Sequence, residues 1–273
     1  MSRAPSPPDP TGAAGPVPPP ELARLAPGWV PSLAYQLVAD VTTWRLQGPD
    51  GAVRFAKVDR AGRFPTLPGE AERMVWAAPY LPVPRVVACE VMASATILLT
   101  EALPGRDATD PCWRDDLPAL VLAFGRGLRS FHEAVGEEWC PFRFETARAL
   151  DHVRRRVRTD DIDPAGFHEE HASLTPAAAL DELESTAPEG EDLVVCHGDY
   201  CPPNVLLEER SVTGYVDLGE LGVADRWWDV AVGAWSAAWN FGVKLEPLFF
   251  EGYGIAPDPA RIRFYRLLYD LVS

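Results

Sequence analysis

A run of short apolar segments broken by polar turns constrains the fold more than any other part of this chain. The run Leu193–Cys196 predicts a short buried strand that stops at His197-Gly198-Asp199. Two further apolar runs, 205–207 and 215–218, are separated by a polar turn that ends in Gly214. This spacing predicts a hairpin that directly follows the buried strand.

Three polar side chains lie at the ends of these predicted strands: Asp199, Asn204 and Asp217. Phosphoryl transfer requires such a set, because one carboxylate must orient the attacking hydroxyl while an amide and a second carboxylate hold Mg²⁺ against the phosphates. The order His-x-Asp, Asn, Asp-x-Gly matches the catalytic and metal loops of kinases. A buried hairpin with a capping aspartate is the alternative explanation for any one of these residues alone.

Taken together, these motifs resemble the aminoglycoside phosphotransferase family, in which His197-Gly198-Asp199 replaces the His-Arg-Asp of protein kinases. The segments 216–229 and 261–270 are similar to the antibiotic 3′- and 3″-phosphotransferases in particular. The resemblance extends from about residue 35 to the C-terminus. It implies an α+β, two-lobed protein-kinase-like fold, with a small N-terminal antiparallel sheet plus a helix and a larger, mostly helical C-terminal lobe.

The predicted domain organisation has three parts. Residues 1–20 are rich in Pro, Ala, Gly and Ser and predict a disordered tail, because they bury too little apolar surface to offset the entropy of ordering. Residues 21–102 form the expected nucleotide-binding lobe, and residues 103–273 form the expected catalytic and acceptor-binding lobe. Within the latter, 224–240 and 259–271 are predicted to be helices.

The resemblance assigns nucleotide-binding roles to four residues of the N-terminal lobe. Lys57, on a predicted strand, is the expected contact for the α- and β-phosphates of ATP. Glu70, on the helix that follows, is the expected ion-pair partner of Lys57, with Glu72 as the second choice. Backbone groups around Thr100 and Ala102 are expected to bond the adenine.

In the C-terminal lobe, the resemblance makes Asp199 the catalytic base and makes Asn204 and Asp217 the Mg²⁺ ligands. Asp229 resembles the family residue that braces the catalytic loop. The acceptor-binding candidates form a separate set at the end of the chain and near the metal loop: Asp270, Ser273, Glu220 and Trp239.

Composition narrows the classes of partner. The chain of 273 residues has a formal net charge of −15, which argues against nucleic acid and suits a cationic small molecule. No apolar run approaches a membrane span, and the N-terminus has no signal pattern. The five cysteines form no close Cys-x2-Cys pair, so we expect reduced thiols in the cytoplasm. The chain is expected to be a monomer or weak dimer.

The expected activity is ATP-dependent phosphorylation of an aminoglycoside hydroxyl, which confers antibiotic resistance. The 3′-hydroxyl of kanamycin- or neomycin-type antibiotics is the first choice, and streptomycin at its 3″-hydroxyl is the second. A kinase for a small metabolite is a further alternative, since the catalytic loops support it equally. A non-catalytic binding protein on the same fold is the remaining class, for which a lost catalytic aspartate or metal ligand is expected.

Overall fold

The structure is a computed structural model that describes residues 17–38 and 40–272. Residue contacts divide the chain into two compact units. The N-terminal unit contains the described residues up to Arg106 together with Thr213–Gly219, and the C-terminal unit contains Asp107–Val212 and the described residues from Glu220 onward. The segment that carries Asp217 therefore belongs to the N-terminal unit, although its position in the sequence lies within the predicted C-terminal lobe.

The N-terminal unit is built on a five-stranded sheet in which every neighbouring pair is antiparallel, in the order β1-β2-β3-β5-β4. Its elements are α1 (Pro20–Leu25), β1 (Val30–Val38), β2 (Val41–Gln47), β3 (Val53–Asp59), α2 (Leu67–Ala77), β4 (Val86–Val91) and β5 (Thr96–Glu101). Alternate residues of β2 are buried, and Trp44 and Leu46 join Ile97 and Leu99 of β5 in one apolar cluster. Pro20, which the sequence placed in the tail, begins α1; residues 1–16 lie outside the described ranges.

Local sequence signals fix the turns of this unit. The predicted turn between β2 and β3 is confirmed, with Gly51 in the left-handed region at φ +86° and its amide bonded to the Gly48 carbonyl at 3.1 Å. Helix α2 begins after Thr66, whose hydroxyl accepts the Gly69 N–H at 3.3 Å. This cap sets the start of the helix that carries Glu70.

The C-terminal unit is mainly helical. Its helices are α3 (Leu117–Glu133), α4 (Thr146–Arg158), α5 (Pro176–Thr186), α6 (Trp227–Phe241), α7 (Glu246–Tyr253) and α8 (Pro259–Val272). The strands after β5 are β6 (Arg106–Asp107), β7 (Leu193–Cys196), β8 (Val205–Glu208), β9 (Ser211–Tyr215) and β10 (Gly222–Asp225). The chain returns to the N-terminal unit within β9. No helix in the described ranges is long and apolar enough to cross a membrane.

Two predicted elements around the catalytic stretch are wrong in their bounds. The second hairpin strand is β9, not 215–218, because Glu209 and Arg210 both adopt positive φ (+49° and +63°) and close the turn before Gly214. The helix predicted from 224 starts at Trp227, since Gly222–Asp225 instead pairs antiparallel with Leu193–Cys196.

Candidate active site

Lys57 is the centre of an ion-pair triad in the N-terminal unit. Its Nζ lies 2.6 Å from Glu70 Oε1 and 2.7 Å from Asp217 Oδ1. The predicted pairing of Lys57 with Glu70 is confirmed, whereas Glu72 is on the exposed side of α2. The triad joins β3, α2 and the Asp-x-Gly loop, which the sequence places far apart.

The two carboxylates keep Lys57 charged. Burial alone would lower the pKa of Lys57, but the nearby Asp217 and Glu70 outweigh burial and raise it well above its usual range. Burial raises the pKa of Glu70, whose side chain is only 3% exposed, and the positive charge of Lys57 opposes that rise. The lysine is therefore a fixed positive charge suited to an anionic ligand such as a phosphate.

Asp217 lies in a loop after β9 with its backbone in the left-handed region at φ +64°. This conformation is uncommon for residues other than Gly, Asn and Asp, and it turns the chain away from strand geometry. About half of the carboxylate remains accessible, with 46% of the side chain exposed. Gly219 completes the loop, because a Cβ there would lie 2.6 Å from Pro65 Cγ.

In the C-terminal unit, Asp229 braces the catalytic loop, as the sequence predicted. Its carboxylate is fully buried at the start of α6 and accepts the His197 N–H at 2.6 Å and the Gly198 N–H at 3.0 Å. His132 Nε2 lies 3.1 Å from the same carboxylate, and its Nδ1 lies 2.8 Å from the Tyr253 hydroxyl. This buried network fixes the backbone that presents Asp199.

Gly198 is required by the geometry of this loop. Its φ is +92°, and a Cβ at this position would lie 2.5 Å from Glu220 Cβ and 2.6 Å from the Glu220 carbonyl oxygen. Trp228 Nε1 donates to the Gly198 carbonyl at 2.7 Å. The backbone of Glu220 therefore lies against the catalytic loop, and only glycine fits between them.

Asp199 and Asn204, the predicted base and metal ligand, lie together. The Asn204 side-chain Nδ2 donates to the Asp199 carbonyl at 3.0 Å and to its Oδ2 at 3.1 Å. A short 3₁₀ turn at Pro202–Asn204 positions the amide, and Cys201 before it is buried as a spacer. Within the described ranges no hydrogen bond uses Asn204 Oδ1, which leaves an oxygen of the type that Mg²⁺ prefers.

The other predicted site residues have diverse surroundings. Thr100 is buried on β5, and the Ala102 amide already donates to the Val53 carbonyl at 3.2 Å, so that donor is not open to a base. Ser273 lies outside the described residues. Trp239 is half exposed at the end of α6.

Asp270 is the predicted substrate residue with the most unexpected environment. It is buried on α8 and bonded to His168 and His171, two residues that the sequence reasoning did not single out. No local pattern marks these histidines, because their partner is about a hundred positions away, at separations of 102 and 99 residues.

In the N-terminal unit, a lysine of the sheet pairs with a glutamate of a helix. The C-terminal unit carries an Asp–Asn loop that a buried carboxylate braces. These features define a phosphotransferase of kinase-like fold. The chain belongs to the phosphotransferase enzyme family, whose sequence pattern matches residues 36–265. It is 40% identical over 210 residues to an aminoglycoside 3′-phosphotransferase of Streptomyces fradiae, covering 74% of this chain and 78% of that protein.

Two solved structures extend this similarity to three dimensions. An aminoglycoside-3′-phosphotransferase of type VIII has a TM-score of 0.82 at 35% identity, over 92% of this chain and 96% of that one. The aminoglycoside phosphotransferase APH(3″)-Id of Streptomyces rimosus, in complex with ADP and streptomycin, has a TM-score of 0.72 at 30% identity with the same coverage. The predicted kinase-like α+β fold and the family resemblance are confirmed.

Proposed function

We propose that this phosphotransferase moves the γ-phosphoryl group of ATP to a hydroxyl of an aminoglycoside antibiotic, with the 3′-hydroxyl of kanamycin- or neomycin-type antibiotics favoured, and so confers resistance. The observation that carries this proposal is the Asp199–Asn204 pair on a loop braced by Asp229, in a chain 40% identical to a 3′-phosphotransferase. A location in the cytoplasm, where ATP is available, is part of the proposal.

Asp199 is the proposed catalytic base. Its carboxylate orients the acceptor hydroxyl and accepts the proton as the phosphoryl group is transferred in line. Asn204 holds one carboxylate oxygen through its amide nitrogen, which fixes the direction in which the other oxygen points. Most of the rate enhancement then comes from positioning.

Lys57 is the proposed ligand of the α- and β-phosphates of ATP, with Glu70 holding the ammonium in place. Backbone groups around Thr100 and Ala102, other than the occupied Ala102 N–H, are the proposed contacts of the adenine. Asn204 and Asp217 are the proposed Mg²⁺ ligands, since one offers an amide oxygen and the other a half-exposed carboxylate. When bound, Mg²⁺ supplies neutralisation of charge on the phosphate oxygens.

The acceptor is proposed to bind near the C-terminal helix and the metal loop. The proposed contact region is marked by the predicted residues Asp270, Ser273, Glu220 and Trp239. The net charge of −15 favours a polycationic acceptor, because a negative surface raises the local concentration of cations. Streptomycin at its 3″-hydroxyl is the second candidate, supported by the 30% identity to the streptomycin-bound relative.

The test is ADP formation by the purified protein with Mg-ATP against kanamycin, neomycin, streptomycin, and a set of sugars and amino alcohols. Phosphorus-coupled NMR of the product identifies the phosphorylated hydroxyl. Turnover with kanamycin or neomycin and a 3′-phosphate is the expected result. Turnover only with a sugar or amino alcohol contradicts the proposal and identifies a metabolite kinase.

A further inference from the structure

The carboxylate of Asp270 is already occupied within the C-terminal unit. Its Oδ1 is bonded to His168 Nδ1, and its Oδ2 lies 2.6 Å from His171 Nδ1. The His168 backbone N–H also donates to Oδ2 at 3.2 Å, and only 1% of the Asp270 side chain is exposed. An ammonium group arriving from solvent must therefore displace a histidine before it can contact this carboxylate.

His168 is the part of this cluster that a ligand can reach. Its imidazole is stacked against two indoles, with ring centroids 4.0 Å from Trp235 and 4.1 Å from Trp239. Trp235 is buried, whereas Trp239 is 52% exposed, and 11% of the His168 side chain is accessible. The cluster thus presents one half-exposed indole and the edge of one imidazole.

The contacts of His168 leave a single nitrogen for a further partner. Nδ1 is used by Asp270, and no residue within 17–38 or 40–272 forms a hydrogen bond with Nε2. An aspartate on one imidazole nitrogen fixes the tautomer and directs the other nitrogen outward. The two flanking indoles prevent the ring from turning, so the direction of Nε2 is set by packing.

We infer that His168 is a specificity-determining residue of the acceptor site, which contacts an amino-sugar acceptor through Nε2 beside the exposed indole of Trp239, while Asp270 only positions the imidazole. This inference rests on the proposed function. In this arrangement the acceptor contacts His168, and the Asp270 carboxylate contacts the histidine and not the acceptor.

The chemistry of the two exposed groups defines the ligand. A neutral imidazole Nε2 accepts a hydrogen bond from an ammonium or hydroxyl group. The indole of Trp239 offers an apolar face for the C–H groups of a sugar ring and attracts a neighbouring cation. An amino sugar carries all of these features within one ring.

Several charged groups surround this cluster. Glu170 lies 3.8 Å from His171 Nε2 and pairs with Arg266 of α8, which also pairs with Glu246. The remaining neighbours are Asp270 and Tyr269 on α8, Trp235 and Trp239 on α6, and Glu182 on α5. Although burial raises the pKa of Asp270, the hydrogen bonds from both histidines outweigh it and lower this pKa, which favours the charged carboxylate that holds the imidazoles.

The test compares the wild type with His168→Asn in steady-state kinetics with Mg-ATP and kanamycin. The asparagine amide still donates to Asp270 in place of Nδ1, but nothing replaces Nε2. The expected result is a rise of about tenfold in the KM for kanamycin with an unchanged KM for ATP. Trp239→Ala should raise the same KM, and Trp239→Phe should raise it less.

The opposite results overturn the inference. An unchanged KM in His168→Asn, or a lower KM in His168→Ala, means that the histidine only covers Asp270 and that the carboxylate binds the acceptor. If the wild-type protein turns over no aminoglycoside, the proposed function itself is refuted. Failure of the proposed function is thus distinguished from failure of the inference about His168, which requires an active wild type. If the variants do not fold, ¹⁵N NMR of the histidines in the wild-type protein tests the inference. The His168 Nε2 signal must shift when kanamycin is added, and an unchanged signal overturns the inference.

Discussion

Lys57 and Asp217 are 160 positions apart in the sequence, yet Lys57 Nζ lies 2.7 Å from Asp217 Oδ1. The contact exists because Thr213–Gly219 packs with the N-terminal unit, where the Tyr215 N–H bonds the Pro82 carbonyl at 3.0 Å. In this arrangement the proposed phosphate ligand neutralises the proposed metal ligand. Glu70 is the second carboxylate on the same ammonium group. It therefore holds Lys57 in place against the attraction of Asp217.

Replacement of Glu70 by Gln should therefore impair ATP use, because among the described residues Lys57 then keeps Asp217 as its only ionic partner. We expect a fall of about 100-fold in kcat/KM for ATP, typical of a displaced positioning group. Glu72→Gln, on the exposed side of the same helix, is the matched control and should behave as the wild type. Equal kinetics of the two variants would show that the ion pair does not position Lys57 for catalysis.

Gly198→Ala tests the close approach of the catalytic loop to Glu220. At this position φ is +92°, and a Cβ would lie 2.6 Å from a backbone oxygen. No change of side-chain rotamer can relieve this clash. The free energy of unfolding should fall by about 1 to 3 kcal/mol, and kcat should fall with it. Gly190→Ala, where a Cβ meets nothing within 4 Å, should stay within about 0.5 kcal/mol of the wild type in urea unfolding.

Asp229→Asn tests the brace of the catalytic loop. The amide can accept only one of the two backbone N–H groups that the carboxylate accepts at 2.6 and 3.0 Å, so one buried donor loses its partner. We expect a loss of about 1 to 3 kcal/mol in the free energy of unfolding. Asp151→Asn, which removes an exposed carboxylate from an ion pair with Arg154, is the control. A destabilisation of the same size in both variants would contradict this role.

Much of the site could be predicted from sequence, since its signals are local. His197, Asp199 and Asn204 lie within one short motif, and the partner of Lys57 lies on the next helix. The strand predicted from the apolar run Leu193–Cys196 has the same bounds in the structure. A strand that is buried on both faces has a continuous apolar sequence, which makes it visible in the sequence alone.

The failures come from interactions that no local pattern encodes. The turn at Glu209 and Arg210 uses two left-handed residues without the Asn-Gly signal that such turns usually carry, and so the hairpin was placed too late. Gly222–Asp225 is a strand only because Leu193–Cys196 pairs with it. The histidines on Asp270 belong to a loop whose partner helix lies about a hundred residues further along the chain, at separations of 102 and 99 residues.

The stability contributed by Asp270 should depend on pH. Its pKa in the folded protein is lowered, so its contribution is fully present above its unfolded value of about 3.9 and is lost as pH falls through the folded value. Asp270→Asn should therefore destabilise the protein more at pH 7 than at about pH 3. Urea unfolding of both proteins at these two pH values measures the difference, and an equal difference at both would contradict the charged state of this carboxylate.

The central claim is that Asp199 is the base of an aminoglycoside phosphotransferase. Its most direct test is the rate of kanamycin-dependent ADP formation with Mg-ATP in the wild type and in Asp199→Asn, together with the Kd for ATP. The account predicts a loss of about 10³-fold in turnover with an unchanged Kd, because the amide cannot accept the hydroxyl proton. Undiminished turnover in Asp199→Asn would contradict it.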